Sequence, residues 1–241
     1  MGRFDSALTK QTYRHVLRAI RSREDRPFEI LSEVNPHLWG NGSYLDVAVL
    51  KERRRKMLDK YEIPYTESVL SARSIEKDEL LNLTRSLFRS ENENISPASM
   101  FSTLRFFEEQ KILKQRQSVK TTRNIRCTVR TDFIGMSEDN QSHVFAYNIV
   151  LENLGHEQVK LHGRHLIFED SNPDVRHIEV PKGSPGVVGL TPLLCPGTIF
   201  EYGSGAHLQS DSGFVSGSFQ LATDSGETFD VFMGPVSLLP N

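Results

Sequence analysis

The spacing of the apolar residues changes near residue 126, and this change limits the folds open to the chain. Before it, Val16, Leu17 and Ile20 recur at the spacing of an amphipathic helix. After it, residues 143–151 alternate between apolar and polar side chains, as a half-buried strand does. The sequence therefore predicts an α+β protein in two domains, with helices first and a sheet second.

The first half, residues 1–113, predicts a helical bundle of three to four helices. Apolar spacing, capping residues and prolines place these helices at residues 6–22, 44–60, 75–90 and from Ser96 onward. Ser43 is the expected start of the second helix, and Pro97 suits the first helical position of the fourth. The predicted buried stripe of the fourth helix consists of Phe101, Leu104, Phe107 and Ile112.

The second half, residues 127–241, predicts an antiparallel β-sandwich. The expected strands are residues 143–151, 159–168, 198–202, 214–221 and 228–233. Turn residues such as Pro196-Gly197 and Gly203-Ser204-Gly205 separate them. Short alternating strands with such turns at intervals of about ten residues are typical of a sandwich.

The charge is divided between the two halves. The whole chain has 29 basic and 31 acidic residues, a net charge of −2. Residues 1–126 hold 24 basic and 17 acidic side chains, whereas residues 127–241 hold 5 and 14. This division from +7 to −9 suggests two modules with different partners.

A segment rich in lysine and arginine and free of acids joins the two halves. We predict residues 114–126 as a polar linker, which is the ordinary role of such a segment. It could also lie on the phosphates of RNA. The candidate RNA contacts are Lys111, Lys114, Arg116, Lys120, Arg123 and Arg126.

The N-terminus has the composition of an organellar transit peptide. Residues 1–23 contain six basic side chains and a single acid, Asp5. An ordinary basic helix has the same composition, so both interpretations stay open. No apolar run is long enough for a membrane span. Mitochondrial and plastid transit peptides share this composition, so the organelle stays open at this point.

The search for catalytic motifs gives little. His162 and His165 stand three apart in a predicted strand, a poor spacing for a metal pair, and no metal site is predicted. The glycine cluster around Gly186 and Gly189 is a possible anion-binding turn. Pro192 and Pro196 follow it and oppose the helix that a dinucleotide site needs, so a plain loop between strands is the competing interpretation.

The second half resembles the ApaG domain over residues 127–241. The matching motifs are Val144-Phe145-Ala146-Tyr147, Arg164-His165, Gly186-Val187-Val188-Gly189, Phe200-Glu201-Tyr202 and Phe229-Asp230-Val231. The resemblance implies a fibronectin-III-like sandwich, which in some relatives is a protein-interaction module. Leu166 replaces a usual tryptophan, and Ser184 replaces the first glycine of the family's turn.

The first half resembles the LYR-motif proteins of mitochondria. Thr12-Tyr13-Arg14 with Val16-Leu17-Arg18 is similar to that family's opening, and Arg85 to Arg89 is similar to its second-helix signature. Residues 24–74 are then a long insertion. A generic small helical bundle is the alternative.

The LYR resemblance implies a location in the mitochondrial matrix and a partner, mitochondrial acyl carrier protein. Its expected contacts are Tyr13, Arg14, Arg18, Phe88 and Arg89. The candidates for a tunnel around the acyl chain are Val16, Leu17, Ile20 and Leu87. The chain has no expected cofactor of its own, and the ligand is acylated 4′-phosphopantetheine carried by the partner.

These observations predict a non-catalytic adaptor, a subunit or assembly factor of a large mitochondrial complex. The basic segment favours the mitochondrial ribosome over a respiratory complex, which is the alternative in the same class. The alternative in another class is an enzyme that hydrolyses a nucleotide or phosphate at the glycine turn, with His165 in acid–base chemistry.

Overall fold

A computed structural model describes residues 6–21, 29–31, 34–61, 63, 65–71, 74–89 and 97–240, without the side chains of residues 6–9, 36, 83, 86–89 and 97–100. The chain forms two compact units. The helical unit consists of Met1–Ser32 and Val47–Ile112, and the sheet unit consists of Glu33–Asp46 and Leu113–Asn241.

The helical unit contains helices of very different length. They are α1 (Ser6–Arg21), α2 (Val47–Lys60), α3 (Glu67–Ser71), α4 (Lys77–Arg89) and α5 (Pro97–Gln115). Helix α1 contacts α4, and α2 contacts α3. Val16 and Ile20 are buried on one face of α1, as their helical spacing predicts.

A buried glutamine on α5 holds an extended segment of the helical unit. The side-chain amide of Gln110 donates to the carbonyl of Leu31 (2.9 Å), and its oxygen accepts from the Leu31 amide (2.8 Å). Gln110 is fully buried, and both of its polar atoms are satisfied. The side chain therefore pairs with this segment as a neighbouring strand would.

The sheet unit is an antiparallel β-sandwich. Its strands are β1 (Asn41–Leu45), β2 (Gln117–Thr122), β3 (Ile125–Met136), β4 (His143–Asn153), β5 (Val159–Asp170), β6 (Ile178–Pro185), β7 (Leu193–Leu194), β8 (Ile199–Leu208), β9 (Gly213–Thr223) and β10 (Thr228–Leu238). One sheet has the order β1-β8-β4-β3-β2 and the other β10-β9-β5-β6, with β7 paired to β5.

The core of the sandwich lies between these two sheets. Alternate residues of the long strands point inward, which buries Phe145, Ile149, Phe200, Tyr202 and Phe219 almost completely. The predicted strands 143–151, 159–168, 214–221 and 228–233 fall within β4, β5, β9 and β10, and the predicted strand 198–202 begins one residue before β8. The prediction of an antiparallel sandwich is confirmed.

Two details of the predicted helices are wrong. The second helix begins at Val47, not at residue 44, because residues 41–45 form a strand that pairs with β8. On α5, Phe101 and Ile112 are 50% and 46% exposed, while Phe106, Phe107 and Gln110 are buried. The burial of the adjacent pair Phe106 and Phe107 displaces the stripe from the predicted spacing.

The predicted linker is also wrong. Residues 117–122 form β2, which pairs with β3 along its whole length. Arg123 and Asn124 have φ angles of 47° and 63° and form the tight turn between the two strands. Residues 114 and 115 end α5, and residues 116–126 belong to a hairpin of the sandwich, named the basic hairpin from here on, because the backbone of residues 117–122 is hydrogen-bonded to β3.

Candidate functional site

Helix α1 has a basic face opposite its buried face. Arg14 and Arg18 are exposed, as are Lys10 and Arg21, while Val16, Leu17 and Ile20 are buried. Tyr13 is half-buried. The arrangement offers a row of positive charges to an acidic partner and leaves the apolar side chains inside the helical unit.

The second half of the predicted carrier-protein site lies on α4. Leu87, Phe88 and Arg89 belong to the last turns of that helix, but their side chains lie outside the described residues. The structure brings α1 and α4 into contact, which the proposed site requires.

The arginines of the basic hairpin are paired with acceptors in the sandwich. Arg116 is buried, donates to Asp132 (3.0 Å) and donates to the carbonyl of Pro240 (2.6 Å). Arg123 binds both carboxylate oxygens of Glu227, at 2.6 and 2.9 Å.

A third arginine of the hairpin is engaged in the same way. Arg126 forms an ion pair with Glu152 at 3.6 Å. Three of the six candidate RNA contacts therefore bind carboxylates of the same unit. Lys111, Lys114 and Lys120 are exposed.

The glycine turn, residues 186–190, follows β6 and is closed by short backbone hydrogen bonds. Val187 and Leu190 exchange two hydrogen bonds of 2.8 Å across a two-residue turn, whose members Val188 and Gly189 both have positive φ. The Gly186 amide donates to the carbonyl of His162 (2.8 Å). This amide is therefore used within the fold and cannot point at a bound anion, contrary to the prediction for Gly186.

A basic side chain closes the same turn from β5. Nη1 of Arg164 donates to the carbonyl of Pro185 (3.1 Å) and to that of Gly186. Beside it, Nε2 of His165 lies 2.9 Å from a carboxylate oxygen of Glu179 on β6. The turn is therefore fixed through its carbonyls, and His165 has a carboxylate partner at the sheet surface.

The two cysteines lie in different environments. Burial raises the pKa of the Cys127 thiol on β3 to about 12. Cys195 is exposed. Among the described residues, no group of three or more histidine, cysteine, aspartate or glutamate side chains could hold a metal ion. None of the described helices is long and apolar enough to cross a membrane.

The comparisons with known proteins concern the sandwich. A family profile described as the ApaG domain matches residues 135–223. The ApaG protein of Rhodopseudomonas palustris (strain TIE-1) is 37% identical over 119 residues, which are 48% of this chain and 88% of that protein. The chain belongs to the ApaG family. The ApaG protein of Rhodospirillum centenum is 40% identical over 121 residues, 49% of this chain and 90% of the relative.

A solved structure matches the same part of the chain. The X-ray structure of the structural-genomics target SoR45 is 34% identical, with a TM-score of 0.46, and the match covers 50% of this chain and 90% of that one. The ApaG profile includes neither the helical unit nor β1. Strand β1 of this sandwich therefore comes from a part of the chain that lies outside the matched family segment.

Sequence reasoning missed β1 and the residues just before it. Trp39, Gly42 and Tyr44 all contact the sandwich, although they precede the family segment by about a hundred residues. The available signal is the Gly40-Asn41-Gly42 cluster between Trp39 and Tyr44, because glycine and asparagine indicate a break in the chain just before the predicted helix.

Proposed function

We propose that this ApaG-family chain is a non-catalytic adaptor of a large mitochondrial complex. Its helical unit binds mitochondrial acyl carrier protein, which presents an acylated 4′-phosphopantetheine arm. Its ApaG sandwich docks onto other protein subunits. The location in this proposal is the mitochondrial matrix.

The observation that carries this proposal is the two-sided character of α1. Arg14 and Arg18 are exposed on one side, and Val16 and Ile20 are buried on the other. An acidic partner would meet the arginines first, and an acyl chain would need the apolar interior behind them. Charge complementarity of this kind raises the association rate and fixes the orientation of a partner.

The basic hairpin does not favour the mitochondrial ribosome over a respiratory complex. Arg116, Arg123 and Arg126 neutralise carboxylates of the sandwich, so they offer less charge to ribosomal RNA. The mitochondrial ribosome and a respiratory complex therefore stand as equal forms of the proposal.

Reversing the charge of α1 tests the carrier-protein interface. In the full chain carrying Arg14→Glu and Arg18→Glu, we expect recovery of co-purified acyl carrier protein to fall at least tenfold, because like charges then face each other. The partner is identified by its intact mass, which includes the phosphopantetheine arm.

A matched variant controls for net charge. Arg55→Glu with Lys56→Glu makes the same charge change at exposed positions of α2 and should leave recovery unchanged. Equal recovery from both double variants, each folded by circular dichroism, would contradict the proposed interface.

A further inference from the structure

The edge of the ApaG sandwich next to β8 is covered by a segment from the helical half of the sequence. Residues 34–45, named the strap from here on, run along β8 and end in β1, which pairs from Asn41 with Gly203 to Leu45 with Ile199. Strand β8 lies within the family segment 135–223, whereas the strap does not. Without the strap, β8 would be an open edge with unpaired backbone groups.

The strap fits side-chain features of that edge. Gly205 on β8 leaves room for the ring of Trp39, since a β-carbon there would stand 1.8 Å from the Cη2 atom of that ring. The ring of Tyr44 meets Phe200 edge-on, with centroids 5.4 Å apart. The edge therefore has one recess for an aromatic ring at Gly205 and a second aromatic contact five residues farther along the strap.

The Tyr44 hydroxyl adds two polar contacts. It donates to the carbonyl of Leu193 (3.2 Å) and accepts from the amide of the same residue (3.0 Å). The edge thus recognises both the backbone and the side chains of an extended segment, which are the two components of binding by strand addition.

The end of the strap that forms β1 is less buried than the inner strands of the same sheet. Every residue of β1 is at least partly accessible, and Trp39 and Tyr44 are 43% and 56% exposed. The inner strands of the same sheet bury several side chains each. Elements with little buried area open at lower free energy than the core does.

A buried polar group on β4, the strand next to β8, remains unsatisfied with the strap in place. The Asn148 side chain on β4 is 3% exposed, and its oxygen accepts from the Asn35 amide at 2.6 Å. Its Nδ2 atom has no hydrogen-bond partner among the described residues. A peptide carbonyl placed at this atom would satisfy a donor that the strap leaves unpaired.

We propose that the β8 edge of the sandwich is a binding site for extended peptides, and that the strap is its tethered resident ligand. The peptide it takes has a tryptophan and a tyrosine five positions apart with small residues between, as in Trp39 to Tyr44. A partner peptide of this kind displaces the strap and adds a strand to β8. The site deepens the proposed docking role of the sandwich.

The strap must be weakened before a free peptide can be tested. The strap competes at an effective concentration of about a millimolar, so a free peptide of equal affinity at micromolar concentration displaces little of it, whereas a partner that binds more tightly displaces more. The release variant is the full chain with Trp39→Ala and Tyr44→Ala, in which the contacts at Gly205 and Phe200 are lost from the strap alone. The probe is a fluorescently labelled synthetic peptide of residues 33–46.

We expect the labelled peptide to bind the release variant at least tenfold more tightly than the parent chain, by fluorescence anisotropy. The matched control adds Gly205→Ala to the release variant. The new methyl group is tolerated because the Trp39 ring is gone, but it blocks the ring of the peptide, so binding should fall at least tenfold. A peptide with Tyr44→Ala should also bind more weakly.

Two results would overturn the proposal. One is a folded release variant that does not bind the peptide, and the other is binding that Gly205→Ala leaves unchanged.

If the release variant does not fold, hydrogen exchange of the parent chain decides. Amides of β1 that exchange faster than those of β4 support a displaceable strap, and equal protection refutes it. Carrier-protein recovery is a separate measurement, so failure of that interface leaves this test intact.

Discussion

Gly186 and Gly189 both have left-handed backbone conformations, but only Gly186 lacks room for a β-carbon. Their φ angles are +56° and +78°. A β-carbon on Gly186 would lie 2.3 Å from the carbonyl oxygen of Leu190, whereas no atom lies within 4 Å of a β-carbon on Gly189. The glycine cluster is therefore explained by two different requirements, close approach of backbone and turn geometry.

Alanine substitutions separate these two requirements. Gly189→Ala should lower the free energy of unfolding by about 1 kcal/mol, the cost of a left-handed non-glycine residue. Gly186→Ala adds the steric conflict and should cost about 3 kcal/mol or more. Urea unfolding followed by the Trp39 fluorescence and by circular dichroism measures both. Equal losses would mean that the turn relaxes around the new methyl group.

The paired arginines show where prediction from sequence stops at the scale of residues. The sequence identifies the basic cluster correctly, but Arg123 and its partner Glu227 are 104 residues apart. A charge run can be assigned to RNA or to internal carboxylates only when the fold shows which acids lie opposite. The buried stripe of α1 was predictable because helical spacing is a local property.

At the scale of elements, a carboxylate joins the end of β5 to the turn between β8 and β9. Asp170 accepts hydrogen bonds from the amides of Gln209 (2.9 Å), Ser210 (3.0 Å) and Asn172 (2.9 Å). Burial alone would raise the pKa of Asp170, but the bonds from Ser210, Asn172 and Gln209 lower it overall. The charged carboxyl therefore stabilises the connection between the two sheets.

This lowered pKa predicts a pH dependence. The folded pKa lies below the unfolded value of about 3.9, so the stabilisation is complete above that value and is lost as the pH falls through the folded pKa. In Asp170→Asn, the decline of stability below about pH 4 should be shallower, by at most about 1.4 kcal/mol per pH unit. Urea midpoints from pH 2 to pH 7 test this, and parallel curves for the two proteins would contradict it.

The strands differ in how well the sequence pattern predicts them. β4, β5, β8, β9 and β10 were predictable because their apolar residues alternate between a core and a surface. β2 was not, because it is an edge strand whose Ser, Lys and Thr side chains carry no alternation. β1 was missed because its pairing with β8 joins residues about 160 positions apart, which no local pattern records.

At the scale of the whole molecule, the charge division is smaller than the halves of the sequence suggested. The helical unit has 19 basic and 15 acidic residues, or +4, and the sheet unit has 10 and 16, or −6. The difference from +7 and −9 arises because the five basic side chains of residues 113–126 belong to the sheet unit, together with the acids Glu33 and Asp46. The basic character that remains in the helical unit includes the exposed arginines of α1.

Each unit has its own buried residues, so a core substitution should affect one unit only. Gln110→Ala removes both hydrogen bonds to Leu31 and should destabilise the helical unit by about 3 kcal/mol. Differential scanning calorimetry should show a lower transition for the helices and an unchanged transition for the sandwich. The control, Gln11→Ala at an exposed position of α1, should change neither. A single transition that shifts as a whole would show that the units unfold together.

The course of the strap has a consequence for dividing the molecule. β1 precedes α2 and α3 in the chain, while its partner β8 follows all five helices. If the backbone is cut between α3 and α4, the amino-terminal piece retains the strap with Trp39 and the carboxyl-terminal piece retains the β8 edge that receives it. The two polypeptides then form a complementing pair, which can be expressed from separate genes and reassembled by strand addition.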